Sequence, residues 1–379
     1  MDKIVIVMPA WNEAENIEEM IDKLIKTEFP KIDASMFLLI VDNNSTDGMT
    51  ELVQKQAAKH KNLEIIQQGE KKGLGNAYVV GMKYAMDKLG ADAVMEMDAD
   101  GQHPAEFVKP MVEAYLAGAD YAIGSRYIPG GSVPKQWAAS RRAISFFGNL
   151  FIRLVLLKPS IHDLTTGFRL TRVKGVLDKI DLDNLMELNR FAYKVDLLYQ
   201  SIKNSTKTVE VPLQFRPRMK DKSKFNTKEM ISTFKVAIIL GIRDKQRFIK
   251  FGVVGTVGFL VNFLGIRLFR GLGMPEVVAW GLGTEIAIVS NFIFNNIWTF
   301  KDKEIGGLIK TITGFVKFNL TSVGAIIIQS VFGPLGVRLV GQQYDFLVLA
   351  FVVAGLVLPY NYIMYNLVIW KTWGKKKKS

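Results

Sequence analysis

Apolar residues fall along this chain in two patterns. Up to about residue 215, short apolar runs alternate with amphipathic stretches. "IVIVMPA" (4–10), "FLLIVD" (37–42), "LEIIQ" (63–67), "AVMEMD" (93–98) and "YAIGS" (121–125) read as buried strands. Between them, "EAENIEEMIDKLIK", "GMTELVQKQAAKH", "GNAYVVGMKYAMDKL" and "AEFVKPMVEAYLAG" carry helical spacing. Such alternation predicts an α/β layer around a mostly parallel sheet. From about residue 248 the runs become long and almost uncharged: "FGVVGTVGFLVNFLGI" (251–266), "VVAWGLGTEIAIVSNFIFNNIWTF" (277–300), "FNLTSVGAIIIQSVFGPLGV" (318–337) and "FLVLAFVVAGLVLPYNYIMYNLVIW" (346–370). Spans of ~20 apolar residues match the hydrocarbon thickness, so four transmembrane helices are expected. Phe248, Lys250 and Arg267 extend the first by snorkelling.

The second half also repeats itself. "FIKF" at 248–251 recurs as "FVKF" at 315–318, and "NFIFNNI" at 291–297 as "NYIMYNL" at 361–367. These nearly constant offsets predict two helix hairpins from a duplicated unit. Lys and Arg crowd one set of span ends, from Arg243 to Lys250, Lys301 to Lys317 and Lys371 to Lys378; only Arg267, Arg270 and Arg338 lie on the other. The positive-inside rule therefore places the first half and both termini in the cytosol. The apolar run in "MDKIVIVMPAWNE" is too short for a signal peptide, which agrees. Glu285, the one acid within a span, is a functional candidate, or a partner for a neighbouring Asn or Trp.

Charge and composition narrow the chemistry. The net charge is +13, and residues 241–379 hold sixteen Lys/Arg against six Asp/Glu. Basic residues beside long apolar runs point to a membrane surface rather than nucleic acid. The absence of cysteine excludes disulfides, thiolate catalysis and Cys-ligated zinc. His60, His103 and His162 are too scattered to suggest a histidine metal cluster.

Ligands of parallel sheets sit at the carboxyl ends of strands, and here those ends are "PAWNE", "VDNNSTDG" and "DADGQH". Asp98 and Asp100 stand one residue apart, so they project to the same side. Two hard oxygens so placed can grip Mg²⁺ or Mn²⁺ together with substrate phosphates, and Gln102 could add a neutral oxygen. A solvated turn is the plain alternative. No EF-hand spacing or Walker A is present, and "GLG" at 73–75 follows no strand directly.

"PAWNE", "VDNNSTDG", "DADGQHP" and "GSRY" (124–127) together resemble glycosyltransferase family 2 of the GT-A fold. More narrowly, they resemble the dolichol-phosphate mannose synthases and polyprenyl-phosphate glycosyltransferases. "DLTTGFR" (163–169) and "RFAYKVDLL" (190–198) continue the match, and the second half resembles a GtrA-like membrane domain. The resemblance implies a GT-A catalytic domain over 1–225, an interfacial helix or linker over 226–247 and a four-helix membrane domain over 248–379. It implies that Pro9, Trp11, Glu13, Val41, Asp42, Asn43, Asp98, Ala99, Asp100 and Lys220 hold a nucleotide sugar. Asp98, Asp100 and Gln102 would hold the metal, with Arg126 and Asp196 completing the catalytic set. Arg126, Arg141, Ser145, Arg218, Lys220, Ser223 and Lys224 would hold the phosphate of a polyisoprenyl acceptor. "RYIPGGSVPKQW" (126–137) reads as a mobile acceptor loop. "SFFGNLFIRLVLL" (145–157) carries an apolar stripe suited to a helix on the membrane or against a core.

The implied activity is transfer of one hexose, mannose from GDP-mannose before glucose from UDP-glucose, with inversion. "VDNNS" lacks the second carboxylate common after this strand, which leaves the base open. A processive polysaccharide synthase usually carries Q-x-x-R-W, which "QWAASRR" (136–142) does not supply. A lipid-linked sugar translocator would not need the intact acidic and basic groups.

Overall fold

The computed structural model describes residues 1–70, 73–217 and 227–373, and divides into two compact units, Met1–Gly241 and Ile242–Ser379. In the first, strands β1 (Lys3–Ala10), β2 (Ser35–Asp42), β3 (Leu63–Gln67), β4 (Ala93–Glu96), β5 (Tyr121–Ser125), β6 (Arg169–Arg172) and β7 (Thr208–Pro212) form one sheet, ordered β3-β2-β1-β4-β6-β5-β7. All five strands read from the sequence are present, because runs such as Ile4–Met8 are wholly buried from both sides. Alternation divides β1 between two cores. Ile4, Ile6 and Met8 pack with α1 (Ala14–Asp22), α2 (Met49–Ala57) and α4 (Val108–Leu116), whereas Val5 and Val7 pack with α3 (Leu74–Asp87).

β1 pairs in parallel with β2 on one side and β4 on the other, so the chain order reverses there. β6 runs antiparallel between β4 and β5, which leaves β5 pointing the same way as β4. The sequence hid β6 and β7: "RLTR" and "TVEVP" are short and mix charge with apolar residues. Helices α5 (Ala139–Leu156) and α6 (Tyr193–Asn204) complete the unit. The α5 stripe faces outward rather than into a core; Phe147 is 62% exposed and Leu154 64%.

The interfacial segment expected over 226–247 and the first span are one uninterrupted helix, α7 (Thr227–Gly271), 45 residues long. Among the described residues α7 is the one helix long and apolar enough, by length and composition, to cross a membrane. The other apolar segments lie on α8 (Glu276–Phe294), α9 (Leu308–Val340), α10 (Asp345–Val352) and α11 (Leu358–Met364). Apolar side chains here turn outward, Phe259 being 69% exposed, the inverse of a water-soluble bundle. Glu285 is exposed on α8.

The repeat contacts are reciprocal. Phe248 meets Tyr362 with ring centroids 5.0 Å apart, and their repeat equivalents Phe315 and Phe292 meet at 5.4 Å. Phe251 with Tyr362 and Phe318 with Phe292 lie 5.5 Å apart in both cases. Phe300 and Trp370, themselves equivalent positions, stack at 4.2 Å with planes 7° apart. Such self-complementary pairing is what a two-fold relation between repeats produces.

Candidate active site

The carboxyl edge of β1, β2 and β4 gathers the three acidic loops. Pro9 and Ala10 lie beside Val41 and Asp42 in register. The loop after β1 is laced to the loop after β2. Asn12, with φ +55°, donates its N–H to Ser45 Oγ (3.0 Å) and accepts from Thr46 N–H (2.9 Å). Ala14 N–H donates to Asp47 (2.9 Å). Asn43 N–H donates to the Ala10 carbonyl (3.0 Å), and Trp11 and Glu13 lie on the loop so tied. Asp42 accepts from Ser45 N–H (3.0 Å) and Thr50 Oγ1 (2.7 Å), so it shapes its own loop. Asn43 is buried with an Oδ1 that accepts no hydrogen bond, an acceptor waiting for a donor.

β4 stops at Glu96, and the chain turns through Asp98, Ala99 and Asp100. Asp100 Oδ1 accepts from Gln102 N–H at 3.1 Å, and Gly101 between them adopts φ +75°, which glycine tolerates without strain. Gln102 donates its Nε2 to the Arg216 carbonyl (3.5 Å). Asp98 accepts from Tyr78 Oη (2.7 Å) and from Lys194 Nζ (3.3 and 3.4 Å). Burial works to raise the Asp98 pKa, but the Lys194 ammonium, then His103 and the Tyr78 hydrogen bond, bring it to about 2. His103, whose pKa burial depresses to about 4, accepts the Asp98 N–H on Nδ1 (3.0 Å). His103 therefore fixes the turn and is neutral at pH 7.

Among the described residues no group of three His, Asp or Glu side chains forms a metal cage. The donor chemistry fits Mg²⁺ or Mn²⁺ nonetheless: two carboxylates and one amide oxygen, all hard, the kind of ligand such ions share with substrate phosphates.

Arg126 follows β5 on the same edge. Its Nε and NH2 grip Asp163 at 2.7 and 2.8 Å, and NH2 also reaches Thr165 Oγ1 at 2.8 Å. Asp163 is wholly buried; burial would raise its pKa, but Arg126 outweighs that and keeps it ionised. Arg126 stacks over Phe215 (5.3 Å), which packs on His103 (5.5 Å) and Trp137 (5.9 Å). Arg141 stacks on Trp137 at 3.8 Å, and Ser145 Oγ pairs with Tyr127 Oη at 2.6 Å. Phe215 thus joins the acidic turn to the basic side. Arg218, Lys220, Ser223 and Lys224 lie outside the described residues.

Asp196 is not turned to this edge as a base. It accepts from Met186 N–H and from Gln200 Nε2, both at 2.9 Å, and so ties α6 to the loop before it. Two residues earlier on α6, Lys194 reaches the acidic turn instead. Lys194, Tyr78, His103 and Asp163 are the site residues that sequence reasoning missed. His103, Asp163 and Lys194 stand within "DADGQHP", "DLTTGFR" and "RFAYKVDLL", the stretches that carry the resemblance, but the sequence reading assigns them no role there; Tyr78 leaves no signal.

A family profile for glycosyl transferase family 2 matches residues 5–178, and one for the GtrA/DPMS transmembrane domain matches residues 250–370. Dolichol-phosphate mannosyltransferase of Pyrococcus furiosus is 32% identical over 336 residues, 86% of this chain and 88% of its own. Polyprenol monophosphomannose synthase of Mycolicibacterium smegmatis is 35% identical, covering 65% of this chain and 90% of its own. Undecaprenyl-phosphate mannosyltransferase of Micrococcus luteus is 33% identical, covering 59% and 88%. With an acid-lined GT-A edge and matches of that extent, the chain belongs to glycosyl transferase family 2: it is a glycosyltransferase whose catalytic domain is followed in sequence by a GtrA/DPMS transmembrane domain.

Proposed function

We propose that the protein transfers one mannose from GDP-mannose to a polyisoprenyl phosphate at the cytosolic face of a membrane, with inversion, and crosses that membrane four times. The observation that carries this reading is the chain of contacts from Asp98 through His103 and Phe215 to Arg126, and on through Trp137 to Arg141. The three relatives are all named for mannosyl transfer to polyprenyl carriers, which supports the donor and acceptor classes.

Asp98, Asp100 and Gln102 would hold a divalent cation, which supplies positive charge to the departing diphosphate. Pro9, Trp11, Glu13, Val41, Asp42 and Asn43 would seat the nucleotide, Ala99 lining the turn and Lys220 adding charge. Arg126 stays fixed by Asp163, so its guanidinium is held in place rather than searching. Pre-oriented cations that bring two anions together lower the barrier mainly by positioning and charge stabilisation. A lipid phosphate is already anionic at pH 7 and needs no strong base, which agrees with Asp196 being engaged elsewhere. Arg141, Ser145, Arg218, Ser223 and Lys224 would complete the acceptor cradle.

A panel of nucleotide sugars, offered to the purified protein with polyprenyl phosphate and Mg²⁺ or Mn²⁺, tests the reading. Label from GDP-mannose should appear as a single sugar per lipid; a polymer, or transfer from UDP-glucose alone, would overturn it. Arg218→Ala should raise the KM for lipid phosphate at least tenfold and leave nucleotide binding within about twofold.

A further inference from the structure

Lys194 is wholly buried, yet its ammonium ends at the one place where the proposed donor site needs negative charge. It bridges both oxygens of Asp98, at 3.3 and 3.4 Å, and lies 5.3 Å from the Tyr78 ring centroid and 5.0 Å from that of Phe191. The sleeve is tight: a Cβ at Gly167 would fall 2.0 Å from Nζ, so a side chain there would displace the ammonium. Behind it, Glu96 is buried with both oxygens lacking a hydrogen-bond partner among the described residues, and it lies within electrostatic reach of Lys194. Arg169, whose NH1 donates to the Lys194 carbonyl at 2.6 Å, is the other buried cation facing Glu96.

A divalent cation on Asp98 would therefore meet a fixed positive charge a few ångströms away. Lys194 is wholly buried and Asp98 only partly exposed, so that repulsion is incompletely screened, and further negative charge offsets it. A nucleoside diphosphate supplies it. We propose that Lys194 is a positioning residue that pre-sets the Asp98 carboxylate and weakens its hold on free cation, so that metal and nucleotide diphosphate bind strongly only together. The inference rests on the donor site proposed above and adds the order in which that site fills.

Mn²⁺ binding to the full-length purified protein, read by electron paramagnetic resonance with and without GDP, tests this. In the unaltered protein GDP should tighten Mn²⁺ at least tenfold. Lys194→Met should bind Mn²⁺ alone at least tenfold more tightly and lose most of the coupling to GDP, whereas Lys194→Arg should keep the coupling. A purely structural lysine would instead weaken Mn²⁺ in Lys194→Met with and without GDP alike, which overturns the proposal. Should Lys194→Met not fold, the unaltered protein still decides, because Mn²⁺ affinity that is the same with and without GDP also overturns it. Failure of GDP to bind under any condition would instead strike the donor-site reading itself.

Discussion

The two units hold themselves together with opposite materials. The sheet unit encloses charge: Asp163 with Arg126 and Glu96 near Arg169 are withdrawn from water, as is Lys194, whose partner Asp98 stays partly exposed at the edge. The helical unit encloses rings, with Phe251, Phe292, Phe300, Phe318, Tyr365 and Trp370 in one cluster whose pairings repeat. Charge in a low-dielectric setting is costly unless matched, so it is kept where reaction geometry requires it. Ring packing needs no matching charge and suits a surface facing hydrocarbon, where helices adhere through shape and a few hydrogen bonds. Asn296 supplies one such bond set, accepting from Trp370 Nε1 at 3.0 Å and Ile305 N–H at 2.8 Å.

Substitutions can break that contrast. Asp100→Ala should remove transfer by at least about 10²-fold, the scale of losing one preorganised charge contact, and should abolish metal dependence. Circular dichroism should show the fold unchanged, and metal-dependent turnover at the normal rate would refute the role. Asp163→Ala strands the Arg126 charge in the interior and should cost the sheet unit about 3–5 kcal/mol, read by denaturant unfolding. Phe300→Ala removes half of the central ring stack and should cost about 3 kcal/mol, read by thermal unfolding in detergent, with GDP affinity unchanged. Trp370→Phe keeps an aromatic ring but trims the indole and deletes its donor to Asn296, for about 2 kcal/mol by the same measurement. If the ring substitutions reduce GDP affinity as much as stability, the contrast between the units is wrong.

Much of the fold was legible because burial on both faces of a parallel sheet writes unbroken apolar runs. β1, β2, β3 and β5 appear where those runs stand, and β4 stops two residues short of its run because Asp98 belongs to the turn. β6 left no such run, since "RLTR" gains its place only by pairing between β4 and β5. The acidic turn was legible as well, because neighbouring carboxylates at a strand end are conspicuous locally. Its supports were not: Tyr78, Lys194 and Asp163 come from α3, α6 and the loop before β6, far away in sequence.

The amino-acid order determined the strand runs, the apolar helices and the acidic turn, because each is a pattern within a few neighbouring residues. Tertiary structure alone decided that Asp196 faces a loop while Lys194 faces Asp98, and that Arg126 is held by Asp163. Side chains two residues apart on one helix point in different directions, and which of them meets the site depends on how that helix packs against the sheet.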